Sequence, residues 1–261
     1  MKIFDTHCHL DDRCYKKDLK ETIQRAYQNE ICGFMSVGTD KKTSVKAVQI
    51  ADEIENCYAS VGFHPHYAKE GSDDEIEFLK KLAQKNKKVK AWGEIGLDFN
   101  RMYSPQQDQE NMFIKQLKAA FSLDLPVIFH ERDTKGRFYE VLKTNADDNL
   151  KGVVHCFSGD KQYLKKYLDL GLYIGITGII TIKGRGAELR SLASFIPKDR
   201  IVIETDAPYL TPAPHKNRVK RNEPAFVKAV FLTLSRLFEI EEEKLSKILW
   251  DNSLKLFSIN I

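Results

Sequence analysis

Short runs of nearly continuous hydrophobicity alternate along the chain with longer amphipathic stretches. The short runs are Lys2–Asp5, Gly33–Val37, Tyr58–Gly62, Val89–Glu94, Pro126–His130, Gly152–His155, Leu172–Ile176 and Arg200–Glu204. Each is rich in Val, Ile, Phe or Ala, as expected of strands buried on both faces of a parallel sheet. Between them, apolar residues recur at helical spacing. Leu19, Ile23, Ala26 and Tyr27 do so within Lys17–Asn29, and Phe113, Leu117, Ala120 and Phe121 within Pro105–Phe121. Ser104 is expected to cap the second of these helices, with Pro105 at its first position. A last helical region is expected from Pro224 to Phe257, with Phe226, Val227, Val230, Phe231, Leu234 and Leu237 on its apolar stripe.

Eight strand–helix units in 261 residues, about 33 per unit, give the arithmetic of a (β/α)8 TIM barrel, an α/β fold, formed as one domain over residues 1–261. An open doubly wound sheet competes. It is disfavoured because no Gly-rich dinucleotide-binding turn follows the first strand. With 42% hydrophobic and 30% charged residues, the chain is able to bury a core and is not a disordered one. A net charge of +4 is too small to argue for a polycationic binder, so local clustering has to carry any such reading. The five cysteines are odd in number and show no C-x-x-C spacing, which points to a reducing compartment. No signal peptide is expected, because Asp5, His7 and His9 interrupt the first apolar stretch. No run approaches the roughly 20 apolar residues of a membrane span. The expected location is the cytoplasm, with no membrane association.

A barrel carries its chemistry at the C-terminal ends of its strands, and that is where the ionisable residues collect. His7 and His9 follow the first strand, Glu94 ends the fourth, His130 the fifth and His155 the sixth, and Asp206 follows the eighth. Side chains alternate along a strand, so His7 and His9 share a face and Cys8 points away. Six nitrogen and oxygen ligands exceed what one catalytic ion takes from protein. They are enough for two ions sharing a carboxylate, with Glu94 the natural bridge. Without metal, burying four imidazoles and two carboxylates together is costly in desolvation. Cys8 and Cys156 are read as packing residues. The run Lys80, Lys81, Lys85, Lys87, Lys88 and Lys90 falls at the opposite end of the barrel. By contrast, Lys216, Arg218, Lys220 and Arg221 lie in a long loop on the ligand side. There they suit a polyanionic substrate held by its phosphates. Phe99, Tyr103 and Tyr209 offer faces for base stacking, although each alone fits packing equally well.

The strings DTHCHLD, GFHPH, GEIGLDFNR, LPVIFHERD, HCFSG, IETDAPYLTP and RNEP, in this order from Asp5 to about Pro224, resemble the TatD family of metal-dependent deoxyribonucleases. The resemblance implies a (β/α)8 fold and 3′–5′ exonuclease activity on single-stranded DNA or RNA. It also implies Mg2+ dependence and a role in DNA repair. Carried over by residue, it assigns His7 and His9 to a first ion, His130 and His155 to a second, and Glu94 to both. Asp206 becomes a ligand or general base, and His64 an active-site histidine near the scissile phosphate. His64, Arg132, Arg221 and Asn222 are the candidate substrate contacts. Imidazoles suit Zn2+, Mn2+ or Fe2+ better than Mg2+. The expectation is therefore two divalent ions, with Mg2+ or Mn2+ supporting activity and Zn2+ accompanying the purified protein. No obligate protein partner is expected. Two other readings compete. One is an amidohydrolase acting on a small amide, lactone or phosphoester; against it, Glu94 stands where many such enzymes carry a modified lysine. The other is a metal-binding scaffold without turnover; against it, all six ligands are present.

Overall fold

The hydrophobic continuity of the short runs follows from where the computed structural model puts them, between a filled barrel interior and a layer of helices. Residues 1–147 and 149–260 are described. The strands are β1 (Ile3–Cys8), β2 (Ile31–Val37), β3 (Cys57–Val61), β4 (Val89–Asp98), β5 (Val127–Arg132), β6 (Gly152–Val154), β7 (Tyr173–Ile176) and β8 (Ile201–Ile203). They pair in parallel and in chain order. Between β8 and β1 the ladder is reduced to one bridge, Cys8 with Ala207. Side chains complete the seam: the Thr6 hydroxyl donates to Ile203 O at 3.0 Å, and Asp5 accepts from the Thr205 amide at 2.8 Å and hydroxyl at 2.6 Å. The nearly closed sheet, with helices alternating between its strands, is a (β/α)8 barrel.

The helices are α1 (Leu19–Gln28), α2 (Lys41–Glu53), α3 (Asp73–Lys85), α4 (Gln106–Ser122), α5 (Arg137–Asn145), α6 (Lys161–Asp169), α7 (Ala187–Ala193), α8 (Val227–Phe238) and α9 (Glu242–Leu256). None among the described residues is long and apolar enough to cross a membrane. Their buried faces pack on the outward residues of the strands, such as Phe34, Trp92, Phe129 and Ile174. A separate cluster fills the lower interior: Phe4, Met35, Tyr58, Ala91, Ile128, Val153, Tyr173 and Val202, closed from below by Leu256, Phe257 and Ile259. Alternation then does the rest. Two residues beyond inward-facing Ile128, Val153 and Val202 come His130, His155 and Glu204, each on the same face one layer higher.

Of the differences from the pattern-based expectation, three stand out. β4 runs on past Glu94 to Asp98, through a register shift between Trp92 and Ile95. Its two glycines, Gly93 and Gly96, serve close approach to β5. A Cβ on Gly96, at φ +147°, would meet the carbonyl oxygen of His130. Ser104 does not cap α4; Pro105 is the N-cap residue. The buried Ser104 hydroxyl instead donates to His66 O at 2.9 Å and accepts from the Lys69 amide at 3.1 Å. The region from Pro224 to Phe257 is two helices, α8 and α9. The first ends where Glu239 turns left-handed at φ +53°, its amide bonded back to the Ser235 and Arg236 carbonyls, a cap made without the glycine that usually marks one.

Candidate metal centre at the barrel mouth

The carboxylate of Glu94 lies at the centre of the mouth, buried, with its two oxygens facing different sets of imidazoles. Oε2 is 3.4 Å from His7 Nε2 and 4.0 Å from His9 Nε2. Those two nitrogens lie 3.3 Å apart, and Asp206 Oδ1 is 3.4 Å from His9 and 3.7 Å from His7. Oε1 is 2.7 Å from His130 Nδ1 and 3.6 Å from both His64 Nε2 and His155 Nε2. His7, His9 and Glu94 converge closely enough to hold a cation, as do His64, Glu94 and His130. A third convergence, His7, His155 and Glu204, lies beside them.

What stands behind each ring decides which nitrogen offers a lone pair. Nδ1 of His9 lies 3.2 Å from the Val37 carbonyl, to which it donates, so Nε2 is free to ligate. On His130, Nε2 lies 3.3 Å from Asp98 Oδ2, which leaves Nδ1 facing Glu94. For His155 the backing group is Glu204, whose Oε1 is 2.9 Å from Nδ1, close though not aligned for a hydrogen bond. That same oxygen accepts from the Cys156 amide at 2.6 Å. His64 is arranged the other way round. Its Nδ1 accepts from the His66 amide at 3.1 Å, so a neutral ring carries its proton on Nε2 and aims an N–H into the mouth. His7 Nδ1 is buried without a partner among the described residues.

The electrostatics favour positive charge at this place. Burial pushes the Glu94 carboxyl up, but the neighbouring His64, His7 and His155 and a hydrogen bond from His130 outweigh it and hold it well below the usual range. Burial likewise works against charge on His130, yet hydrogen bonds to Asp98 and Glu94 push it up to about 9. His9 reaches about 9 in the same way, burial being outweighed by Asp206. At His64 burial, then the charge of His130, outweighs the pull of Glu94 and holds it well below its ordinary value. A proton and a divalent cation compete for the same lone pairs, so carboxylates that raise an imidazole also attract a metal. A donor set of imidazole nitrogens and carboxylate oxygens fits such an ion.

The mouth thus gathers His7, His9, His64, Glu94, His130, His155 and Asp206. Arg132 ends β5, half-buried, with no ion pair from its guanidinium among the described residues. Two of the expected substrate contacts are engaged elsewhere. Arg221 donates to Asp18 Oδ2 and the Cys14 carbonyl and lies over the Tyr15 ring at 4.5 Å. Asn222 is 0% exposed. Its amide donates to Thr205 O at 3.0 Å and Tyr209 O at 2.6 Å and accepts from the Glu223 amide at 2.9 Å. Both pin the loop after β8, and both side-chain N–H groups of Asn222 are taken. Lys216, Arg218 and Lys220 are exposed.

Two carboxylates escaped the sequence reading, Asp98 and Glu204. Glu204 had a signal, since it follows Val202 as His130 follows Ile128 and His155 follows Val153. Asp98 had none, because β4 was expected to stop before it. Asp98 is buried: Oδ1 accepts from the Asn100 and Arg101 amides at 2.9 and 2.8 Å, and Oδ2 sits 2.9 Å from His66 Nε2.

Imidazoles and carboxylates converging at the C-terminal mouth of a (β/α)8 barrel define a metal-dependent hydrolase. The profile of the family described as TatD related DNase matches residues 4–258. The chain belongs to that family and is an enzyme of it, a hydrolase of ester bonds. It is 40% identical to the 3′-5′ ssDNA/RNA exonuclease TatD of a Rahnella species, over 99% of each chain. It is 34% identical to the metal-dependent hydrolase YabD of Bacillus subtilis, over 99% of this chain and all of that one. The crystal structure of YJJV, a TatD homologue from Escherichia coli, superposes with a TM-score of 0.91 at 31% identity, covering 99% of this chain and 98% of that one.

Proposed function

We propose that the protein is a 3′–5′ exonuclease on single-stranded DNA or RNA, working with two divalent ions held as one domain's dinuclear site. The observation that carries the dinuclear reading is Glu94, whose two oxygens face two separate sets of donors. The substrate class is supported by the similarity to the Rahnella 3′-5′ ssDNA/RNA exonuclease. His7, His9, Asp206 and Glu94 Oε2 would hold one ion; His130, His155 and Glu94 Oε1 would hold the other. When bound, divalent ions of this kind, Mg2+ or Mn2+ with Zn2+ as an alternative occupant, supply Lewis acidity that acidifies a water and offsets phosphate charge.

The protein's own groups supply the remainder. Asp206, at the open edge of the set, takes the proton of the attacking water. His64, neutral with its proton on Nε2, donates a hydrogen bond to a phosphate oxygen as charge builds there. Arg132, Lys216, Arg218 and Lys220 hold flanking phosphates without reading bases. Asp98 acts one step back, fixing which nitrogen of His130 is free, and Glu204 places a negative charge behind His155.

The test is degradation of a 5′-labelled single-stranded oligonucleotide with Mg2+, with Mn2+ and with EDTA, Glu94→Ala run alongside. A metal-dependent ladder shortening from the 3′ end, absent in the variant, is the expected result. Cleavage that survives EDTA, or persists in Glu94→Ala, would overturn it.

A further inference from the structure

Large aromatic rings left in water gain nothing for the fold, so those exposed beside a site call for an account. Among the described residues three aromatic residues are more than half exposed: Tyr103 at 56%, Tyr209 at 55% and Phe195 at 53%. Phe195, away from the mouth, is covered by Lys161, whose ammonium lies 3.6 Å from the ring centroid. The other two flank the candidate metal centre on its two sides. Tyr103 stands 4.7 Å from the His66 ring, centroid to centroid, tilted by 74°, on the side of Asp98 and His130. Tyr209 stands 5.8 Å from His9, tilted by 67°, on the side of Asp206.

Neither ring is on a loose segment. The Tyr209 amide donates to Asp206 O at 2.8 Å, and its carbonyl accepts from buried Asn222 at 2.6 Å. Tyr103 precedes Ser104, whose hydroxyl bonds to His66 O and whose carbonyl accepts from Gln109 at 2.8 Å. Meanwhile neither phenol makes a hydrogen bond among the described residues. Anchored backbones with free rings are the arrangement of a platform whose ordering cost is already met.

We propose that Tyr103 and Tyr209 are base-stacking platforms, one for the nucleoside on each side of the reacting phosphate. An aromatic ring stacks only on a base whose face is open, and in a duplex neighbouring base pairs cover those faces. The pair therefore selects a strand with unstacked bases, and it does so without reading base identity, because every base has a π-face. This rests on the phosphodiesterase reading and adds to it the groups that choose single strands.

The experiment measures kcat/KM of wild type, Tyr103→Ala, Tyr209→Ala and the two Tyr→Phe variants. The substrates are a single-stranded oligonucleotide and the same strand made abasic at its two 3′-terminal nucleotides, a diester without bases or other aromatic rings at the site. Each Ala variant should lose about 5- to 150-fold on the oligonucleotide, the range expected for one lost stack, and much less on the diester. Each Phe variant should restore the oligonucleotide rate. In Glu94→Ala protein, 2-aminopurine at either of the two 3′-terminal nucleotides should be quenched on binding, and the quench should vanish when the corresponding tyrosine is also changed to Ala. Equal losses on both substrates, or Phe behaving as Ala, would overturn the stacking role and leave the phosphodiesterase reading standing. Wild-type protein that turns over neither substrate with Mg2+ or Mn2+ would overturn that reading and the inference with it.

Discussion

The two ends of the barrel interior are built on the same strands and obey opposite rules. At the floor, Phe4 packs against Tyr58 at 6.2 Å, Trp250 at 5.9 Å and Phe257 at 6.2 Å between centroids, within a cluster of mainly apolar side chains. One layer up, on the same inward face of β5, β6 and the end of β8, the side chains are His130, His155 and Glu204. The floor is stabilised by removing apolar surface from water, which any close-fitting set of side chains achieves. The mouth is held by partners chosen group by group, and a missing partner strands a buried charge. Substitutions should therefore separate stability from chemistry according to depth.

The largest effect is expected at Glu94. Glu94→Gln keeps volume and removes the shared charge, and turnover of a labelled single strand should fall on the order of 10³-fold with the melting temperature little changed. Retained turnover would place the chemistry elsewhere. Phe257→Ala should do the reverse. It should cost about 3–5 kcal/mol in urea unfolding, as expected for a buried aromatic truncated in a packed core, while the folded fraction turns over normally. A drop in turnover per folded molecule would show the two layers to be coupled.

Smaller effects sharpen the mouth. Asp98→Asn leaves His130 in place but loosens the choice of its free nitrogen, so metal affinity by calorimetric titration should weaken about 10- to 100-fold. Raising the metal concentration should then recover activity; a loss that metal cannot rescue would make Asp98 part of the chemistry. Smallest is the combined change of Lys216, Arg218 and Lys220 to Ala. The slope of log affinity against log salt for a single strand should flatten by about 0.7 for each phosphate contact removed. An unchanged slope would route the strand over another face.

Much of this was legible in the chain, and the exceptions have physical causes. Period and length predict the barrel because a strand buried on both faces leaves an unbroken apolar run. The convergence of the six candidate ligands was legible because strand ends in a barrel converge, and His130 and His155 both approach Glu94. Arg221 and Asn222 bond to their own loop and its neighbours, and a basic or polar residue near a site looks the same in sequence whether it faces substrate or its own loop. Only the partners tell the two apart, here Asp18, Thr205 and Tyr209, the first 203 positions away from Arg221. Asp98 was hidden by Gly93 and Gly96, which interrupt the pattern of β4 without ending it.

The floor also ties together segments that are far apart in synthesis. Phe4 rests on Phe257, and Ser246 of α9 bonds to both the amide and the carbonyl of Lys2. During translation, then, β1 leaves the ribosome long before the residues that cover it. The nascent barrel must keep an aromatic end unsealed until Leu256, Phe257 and Ile259 arrive, the interval in which exposed apolar surface invites chaperones or aggregation.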